Sequence, residues 1–211
     1  MPLPRFHKLS EEKQSELLDA AAQELAEKGL DGASIAAVVE RAGASRSAVY
    51  YYFEDKDDLF RTVLQQRMRD AMALVGEPSE NELREDLWGT VRRHKKTIIR
   101  HFLQRPTDIA IWRMAFAQAN ALNTHPVCIS DMYENLQQHW RYMVRCGQEG
   151  GTVRTDMPLD LCVDLIFAID GVMHRRIAEI DVSDLDAIDT HIDRSIDMFR
   201  RLLDPAEGNC K

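Results

Sequence analysis

The sequence of 211 residues has few cysteines, few aromatic side chains and no long apolar run. Its four cysteines lie far apart and form no CxxC pair, which argues against a disulfide framework, a zinc site or a redox motif. No stretch approaches the ~18 uninterrupted apolar residues of a membrane span, and the N-terminus lacks the apolar region of a secretory signal. We therefore expect a cytoplasmic protein with free thiols, no metal, no cofactor and no membrane partner.

An excess of basic residues is also absent. The chain has 27 Lys and Arg against 35 Asp and Glu, which gives a formal net charge of −8. Taken alone, this balance argues against a protein coated with basic surface for nucleic acid, although it does not exclude a small local basic surface. Hydrophobic residues make up 45% and charged residues 29%, which is typical of one or two globular domains.

Recognisable catalytic patterns are missing as well. The sequence has no Gly-rich phosphate loop, no HExxH and no Gly-x-Ser-x-Gly, and its histidines show no metal-ligand spacing. Its periodicity is helical almost throughout, without a convincing run of two-residue alternation. This predicts an all-α fold of about nine helices, and not an enzyme. The predicted helices cover about 11–28, 35–42, 46–53, 55–75, 83–103, 109–122, 126–143, 159–179 and 184–203.

Two short predicted helices, joined by a Gly-containing turn, follow a longer one, which is the helix-turn-helix pattern. Ser34 and Ser45 are the expected N-caps of the two short helices. Between Arg41 and Phe53 there are two arginines and no carboxylate, so the local surface is predicted to be basic although the chain is acidic. The residues expected to bury the two short helices are Val38, Val39, Ala42, Val49 and Phe53.

The side chains left around the rim of the second short helix suit the major groove of DNA. Arg46 can reach guanine O6 and N7, and serine hydroxyls can contact phosphates or base edges. Three consecutive tyrosines point ~100° apart, so one is expected to be half-buried and the others exposed to phosphate oxygens. The alternative is that the tyrosine run is simply core. The predicted DNA-binding residues are Ser34, Ser45, Arg46, Ser47, Tyr50, Tyr51, Tyr52 and Lys56.

Residues 34–60 resemble the DNA-binding signature of the TetR-like (TetR/AcrR) bacterial transcriptional regulators. The matching positions are Ser34, Ala42, Gly43, Ser45, Tyr50, Phe53, Lys56 and Leu59. The departures are at Val39, Ala44, Ser47 and Val49, so an operator sequence cannot be carried over. The resemblance implies an N-terminal three-helix DNA-binding domain at 1–55 and a C-terminal effector-binding and dimerisation domain at 56–211, connected by a helix at about 56–75.

By position, the resemblance implies phosphate contacts at Ser34, Tyr50 and Lys56 and base contacts at Arg46, Ser47 and Tyr51. It also implies a homodimer on double-stranded operator DNA, whose C-terminal helices bind a small-molecule effector. We therefore expect a ligand-responsive transcriptional repressor that an effector releases from a near-palindromic operator. The alternative is a helical module that binds a small molecule or a protein, with the helix-turn-helix serving only as a scaffold.

The last two predicted helices carry apolar stripes that can form a four-helix bundle across a two-fold axis. The alternative is that both helices cover the core of the monomer. The predicted interface residues are Val163, Phe167, Gly171, Ile188, Ile192, Ile196 and Phe199.

Aromatic side chains of the fifth to seventh predicted helices can line an apolar ligand cavity, and a polar pair on the eighth can orient the ligand. Alternatively, the rings fill the core and the polar pair is a satisfied buried pair at the dimer interface. The predicted ligand-binding residues are Trp88, Phe102, Trp112, Phe116, Tyr133, Trp140, Asp170 and His174.

The strongest basic run lies at 92–101, on the outer face of the fifth predicted helix. It is expected to be paired with neighbouring acids, although it could hold an acidic effector or lie near DNA phosphates. An acidic stripe at Asp189, Asp193 and Asp197 is expected to be a solvated face of the ninth helix.

Overall fold

The computed structural model describes residues 2–119, 127–177, 180–181 and 183–205, with side chains at all of these positions except 115–119 and 127–130. Within these ranges the chain forms nine α-helices and one short 3-10 helix and has no strand, which confirms the predicted all-α fold. The helices are α1 (Glu11–Gly32), α2 (Ile35–Ala42), α3 (Arg46–Tyr52), α4 (Lys56–Ala73), α5 (Glu80–Leu103), α6 (Pro106–Ala119), α7 (Val127–Glu149), α8 (Leu159–Ile177) and α9 (Leu185–Leu203), with the 3-10 helix at Phe6–Lys8. Over the same described ranges, no helix combines the length and the apolar character needed to cross a bilayer.

The helices group into two compact units. Unit 1 combines residues 1–71 with 102–132 and holds α1 to α3, most of α4, and α6. Unit 2 combines residues 72–101 with 133–211 and holds most of α5 and α7 together with α8 and α9. The predicted division into 1–55 and 56–211 remains a prediction about domains, since these units describe only which residues pack together.

The start of α5 shows a capping signal that the apolar pattern did not reveal. The Ser79 backbone N–H donates to Glu82 Oε2 at 2.9 Å, and the Glu82 backbone N–H donates to Ser79 Oγ at 3.3 Å. This reciprocal pair is a capping box, and the bonds from Ser79 lower the pKa of Glu82. The helix therefore begins at Glu80, a turn before the predicted start near residue 83.

The core of unit 2 is built around Phe199. Its ring lies between Trp88 and Trp140, with centroid separations of 5.9 Å and 6.0 Å. Cys146 and Cys162 are buried free thiols, as predicted, and Cys128 and Cys210 lie outside the described side chains. The other buried members of this core are Leu83, Leu87, Val91, Met143, Val144, Val153, Val163, Ile166, Ile196 and Leu203.

The basic run at 92–101 is paired with acids inside unit 2, as expected. Arg92 Nε lies 3.1 Å from Asp193 Oδ1, and Lys96 Nζ lies 3.0 Å from the same carboxylate. Arg100 Nη2 lies 2.6 Å from Asp189 Oδ2, one turn earlier on α9. The acidic stripe is therefore not a separate solvated face. Cations and carboxylates at i, i+4 spacing on α5 and α9 face each other and form a ladder of ion pairs.

His174 is a buried histidine on α8 whose surroundings predict acid sensitivity. Burial lowers the pKa of His174 to about 4, even though Asp170 acts in the opposite direction, and the charges of Lys95 and His191 also oppose protonation of the ring. The unfolded chain protonates the same ring near pH 6.5. Above pH 6.5, His174 therefore costs the fold no stability. As the pH falls from 6.5 toward 4, the free energy of unfolding decreases, because the unfolded state binds a proton that the folded state does not.

Replacing His174 by Gln is expected to reduce this acid sensitivity. Between pH 7 and pH 5, the free energy of unfolding of the variant should fall by about 2 kcal/mol less than that of the unaltered protein. Urea unfolding at the two pH values measures the difference. Equal losses in the two proteins would mean that His174 titrates normally in the fold.

Candidate nucleic-acid interface

The helix-turn-helix in unit 1 is set by two serine caps and one glycine. Ser34 Oγ accepts from the Ala37 backbone N–H at 3.2 Å, which starts α2. Gly43 ends it with a positive φ of 59°, a conformation that glycine adopts without strain. Ser45 Oγ then accepts from the Ala48 N–H at 3.1 Å and starts α3. The local sequence therefore fixes both the ends of the helices and the turn between them.

Burial orients α3 within this unit. Val38, Val49 and Phe53 are fully buried, while Val39 and Ala42 are only partly buried. Val49 anchors the inner face of α3, so residues on either side of it point outward. Of the five residues predicted to bury the two short helices, the structure confirms full burial for Val38, Val49 and Phe53.

The outward face of α3 holds the predicted reading side chains. Arg46 and Ser47 are exposed, and the rings of Tyr50 and Tyr51 are 45% and 52% exposed. The Arg46 guanidinium carbon lies 5.9 Å from the centroid of the Tyr50 ring. Ser45 Oγ and Ser47 Oγ lie 3.0 Å apart and share a hydrogen bond. This face therefore presents one cation, hydroxyl groups and an aromatic surface.

Tyr52 is the half-buried member of the tyrosine run, as the helical geometry predicts. Its ring packs edge-on against Phe6, with centroids 6.2 Å apart. Of the three tyrosines proposed to contact DNA, Tyr52 is thus the one that packs against the protein itself.

The structure corrects the predicted charge of this surface. Arg41 does not point outward as a free cation. Its Nε lies 3.4 Å from Glu24 Oε2, and its guanidinium also donates to Glu27. The hydrogen bond with Glu27 raises the pKa of Arg41. Of the two arginines between Arg41 and Phe53, only Arg46 lies without a carboxylate partner among the residues that the structure describes.

Lys56 also has a partner in the chain. Its Nζ donates to the backbone oxygen of Leu30 at 2.9 Å, so this carbonyl compensates the unfavourable position of a cation at the start of α4. An ammonium group has three donors, so the bond fixes the position of Lys56 without using all of its capacity. Ser34, whose hydroxyl caps α2, remains exposed.

The structure describes seven of the eight predicted ligand-binding residues, and they are divided between the two units. In unit 2, Trp88 and Trp140 pack against Phe199 in the core, Tyr133 packs against Phe167, and Asp170 accepts from Lys95. His174 is buried beside Asp170. In unit 1, the stacked rings of Phe102 and Trp112 border a cavity of about 20 Å³. Phe116 lies outside the described side chains. For Trp88 and Trp140, the burial supports the alternative that the rings fill the core.

The predicted dimer-interface residues are mostly interior. Val163, Ile188, Ile192, Ile196 and Phe199 are fully buried, Gly171 is buried, and Phe167 is half-buried against Tyr133. A side chain already buried in its own protomer offers no area to a partner. The five fully buried residues therefore pack inside their own protomer, in unit 2. The large apolar side chains that α8 and α9 expose are instead Leu161, Val172, Leu185, Met198 and Leu202.

Serine-capped short helices joined by a glycine turn, with arginine and tyrosines on the outer face of the second, define a helix-turn-helix protein. The comparisons with known proteins agree. Residues 17–63 match the family model of bacterial regulatory proteins of the tetR family. The N-terminal part of the chain is thus similar to the DNA-binding region of the TetR-family transcriptional regulators.

Relatives and solved structures extend the likeness beyond the helix-turn-helix. The chain is 25% identical over 201 residues to the transcriptional repressor AcnR of Corynebacterium diphtheriae, covering 93% of this chain and 97% of that protein. It is 35% identical over 65 residues to the transcriptional regulator BetI of Burkholderia thailandensis, and this match covers 31% of this chain and 33% of that protein. The structure of a tetR family transcription regulator from Shewanella sp. PV-4 has a TM-score of 0.69 at 15% sequence identity. The match covers 90% of this chain and 97% of that one. The structure of FadR from Bacillus subtilis in complex with stearoyl-CoA has a TM-score of 0.66 at 14% sequence identity. The match covers 87% of this chain and 96% of that one.

Proposed function

We propose that this protein is a ligand-responsive repressor that binds a near-palindromic operator as a homodimer. The observation that carries the proposal is the outer face of α3, where exposed Arg46, Ser47 and Tyr50 lie on a helix whose inner face is fixed by buried Val49. A helix presented in this way enters the major groove of DNA. The similarity to AcnR, which spans almost the full length of both proteins, supports repression as the outcome.

The side chains divide into two roles on the DNA. Arg46 donates two hydrogen bonds to O6 and N7 of a guanine, and Ser47 contacts an adjacent base edge. Ser34, Ser45, Tyr50 and Lys56 contact backbone phosphates, which fix the register without reading sequence. Exposed Tyr51 borders the reading face, whereas Tyr52 is left out of the proposed DNA contacts because its ring packs against Phe6.

We propose that the two protomers meet through the exposed faces of α8 and α9. Leu161 and Val172 are eleven residues apart, about three helical turns, and so lie on one face of α8. Met198 and Leu202 are four residues apart on one face of α9. Association covers these four side chains, and the two-fold axis that relates the protomers accounts for a near-palindromic operator.

Introducing charge on this face is expected to separate the protomers. The double variant Val172→Glu and Met198→Glu should weaken the dimer at least about 100-fold, or ~2.7 kcal/mol, because apolar burial is lost and carboxylates would be desolvated. Sedimentation velocity over a range of protein concentrations measures the shift. Leu74→Glu, at an apolar residue that is 54% exposed outside α8 and α9, is the matched control and should leave the dimer intact. An unchanged dimer in the double variant would place the interface elsewhere.

The proposed response to a ligand is a shift between two conformers of the dimer. An effector that fits only the conformer with misplaced recognition helices lowers operator affinity, and a 100-fold loss requires ~2.7 kcal/mol of differential binding. The fold itself can hold a ligand, as FadR with stearoyl-CoA illustrates for that protein. Native mass spectrometry of the protein purified from its host would detect a retained effector.

DNA binding is tested by titrating the protein against the DNA that flanks its own gene. A specific shift at one site, lost when the site is scrambled, is the expected result. If no promoter gives a specific shift, the helix-turn-helix is a scaffold and the protein acts by binding a small molecule or another protein.

A further inference from the structure

The segment before α1 packs against the recognition helix. Phe6, in the 3-10 helix Phe6–Lys8, is buried, and its ring lies 5.0 Å from the Phe53 ring centroid. The Leu3 backbone N–H donates to the Tyr52 backbone oxygen at 2.8 Å, which satisfies a carbonyl at the C-terminal end of α3. Residues 3–8 are thus an ordered part of the DNA-binding unit, held by an apolar anchor and a backbone hydrogen bond.

This docking places Arg5 over α3. The Arg5 guanidinium carbon lies 4.3 Å from the centroid of the Tyr51 ring, a cation–π distance, and both residues are exposed. Arg46 is held over the next tyrosine ring in the same way, at 5.9 Å from the Tyr50 centroid. Two guanidinium groups, one from the segment and one from α3 itself, therefore lie on successive tyrosines of the recognition helix.

Arg5 carries a positive charge in a region of the chain that is acidic overall. Residues 1–62 hold 8 Lys and Arg against 12 Asp and Glu, a net charge of −4. Arg41 is paired with Glu24 and Glu27, and Lys56 is bound to a carbonyl. In the part of the chain that the structure describes, no carboxylate pairs with Arg5, so its positive charge is available at the edge of the recognition surface.

We propose that Arg5 is a phosphate contact on the operator and that Tyr51 is its positioning residue. Stacking on the ring fixes the guanidinium before DNA arrives, so less side-chain freedom is lost on binding. An arginine at this edge meets the backbone flanking the bases that Arg46 reads, and its fork of donors suits a phosphate. The inference rests on the proposed function and adds a DNA contact outside the helix-turn-helix.

The test is the salt dependence of DNA binding by Arg5→Ala, measured by fluorescence anisotropy with operator and random duplexes. The variant should lose affinity for both duplexes by the same factor, and its log–log salt slope should become shallower by about one ion. Lys8→Ala removes the same charge from an exposed position of the segment and is the matched control. Its slope should match that of the unaltered protein.

The tyrosine variants test the positioning role. Tyr51→Phe keeps the ring and should retain the original slope. Tyr51→Ala should reproduce much of the Arg5→Ala effect, and adding Arg5→Ala to it should change the slope little. Thermal unfolding of each variant verifies that the segment still folds.

Three outcomes would overturn the assignment. An unchanged slope in Arg5→Ala means no phosphate contact, and equal slopes in Arg5→Ala and Lys8→Ala mean a long-range charge effect only. A loss confined to one operator base pair means a base contact. Failure of the proposed function is distinguishable, because then the unaltered protein itself would not prefer the operator over random DNA.

Discussion

Arg46→Ala is expected to weaken operator binding about 5- to 150-fold, or ~1–3 kcal/mol, and to relax the preference at one base pair. Arg46 is exposed on the first turn of α3, and the Tyr50 ring beside it limits the directions it can take. A bidentate contact to guanine supplies both affinity and discrimination. The measurement is a set of anisotropy titrations with operators that carry one substituted base pair at a time.

Arg41→Ala is the matched control for this experiment. It also removes one guanidinium from the helix-turn-helix, but that group is bound to Glu24 and Glu27. Operator affinity should therefore change much less than in Arg46→Ala. If Arg46→Ala weakens all operator variants by one factor, Arg46 contacts phosphate and the sequence is read by other residues.

Phe199→Ala is expected to reduce the free energy of unfolding by about 3–5 kcal/mol, because it removes a fully buried ring and leaves a cavity. The ring lies between Trp88 and Trp140, and Lys95 Nζ lies 5.1 Å from its centroid. Losing this ring removes contacts with two tryptophans at once. Chemical unfolding followed by tryptophan fluorescence measures the loss.

Phe199→Ala also tests whether Phe199 is a core residue or a dimer-interface residue. If Phe199 is a core residue, the loss of stability should persist when the protein concentration is varied, since the missing contacts are within one protomer. Met198→Ala, at the neighbouring exposed position, is the matched control and should affect stability mainly through the dimer. A loss in Phe199→Ala that disappears at high protein concentration would restore Phe199 to the interface.

The helix-turn-helix could be predicted closely from the sequence because its determinants are local. Ser34 and Ser45 cap the helices that follow them, and Gly43 supplies the left-handed residue that ends α2. Each of these effects depends on hydrogen bonds that span about four residues. Helical geometry likewise predicted that one of the three tyrosines is half-buried, and the structure identifies it as Tyr52.

Features that depend on distant residues were harder to predict. The apolar stripes of α8 and α9 would look the same whether they met a partner or their own core, and only the packing assigns Phe199 to the core. Likewise, Arg41 is paired with α1 residues more than ten positions away. One signal was present but unused. Cations recur every four residues at Arg92, Lys96 and Arg100, and carboxylates recur with the same spacing at Asp189, Asp193 and Asp197. This shared i, i+4 spacing indicates two helix faces that form ion pairs with each other.

The central claim is that this acidic protein recognises one DNA sequence through α3. The direct measurement is its affinity for the operator found near its gene and for random DNA of equal length, at physiological salt. Because its net charge of −8 opposes non-specific contacts, we expect the operator to bind at least about 1,000-fold more tightly. Comparable affinities for the two duplexes would contradict the claim.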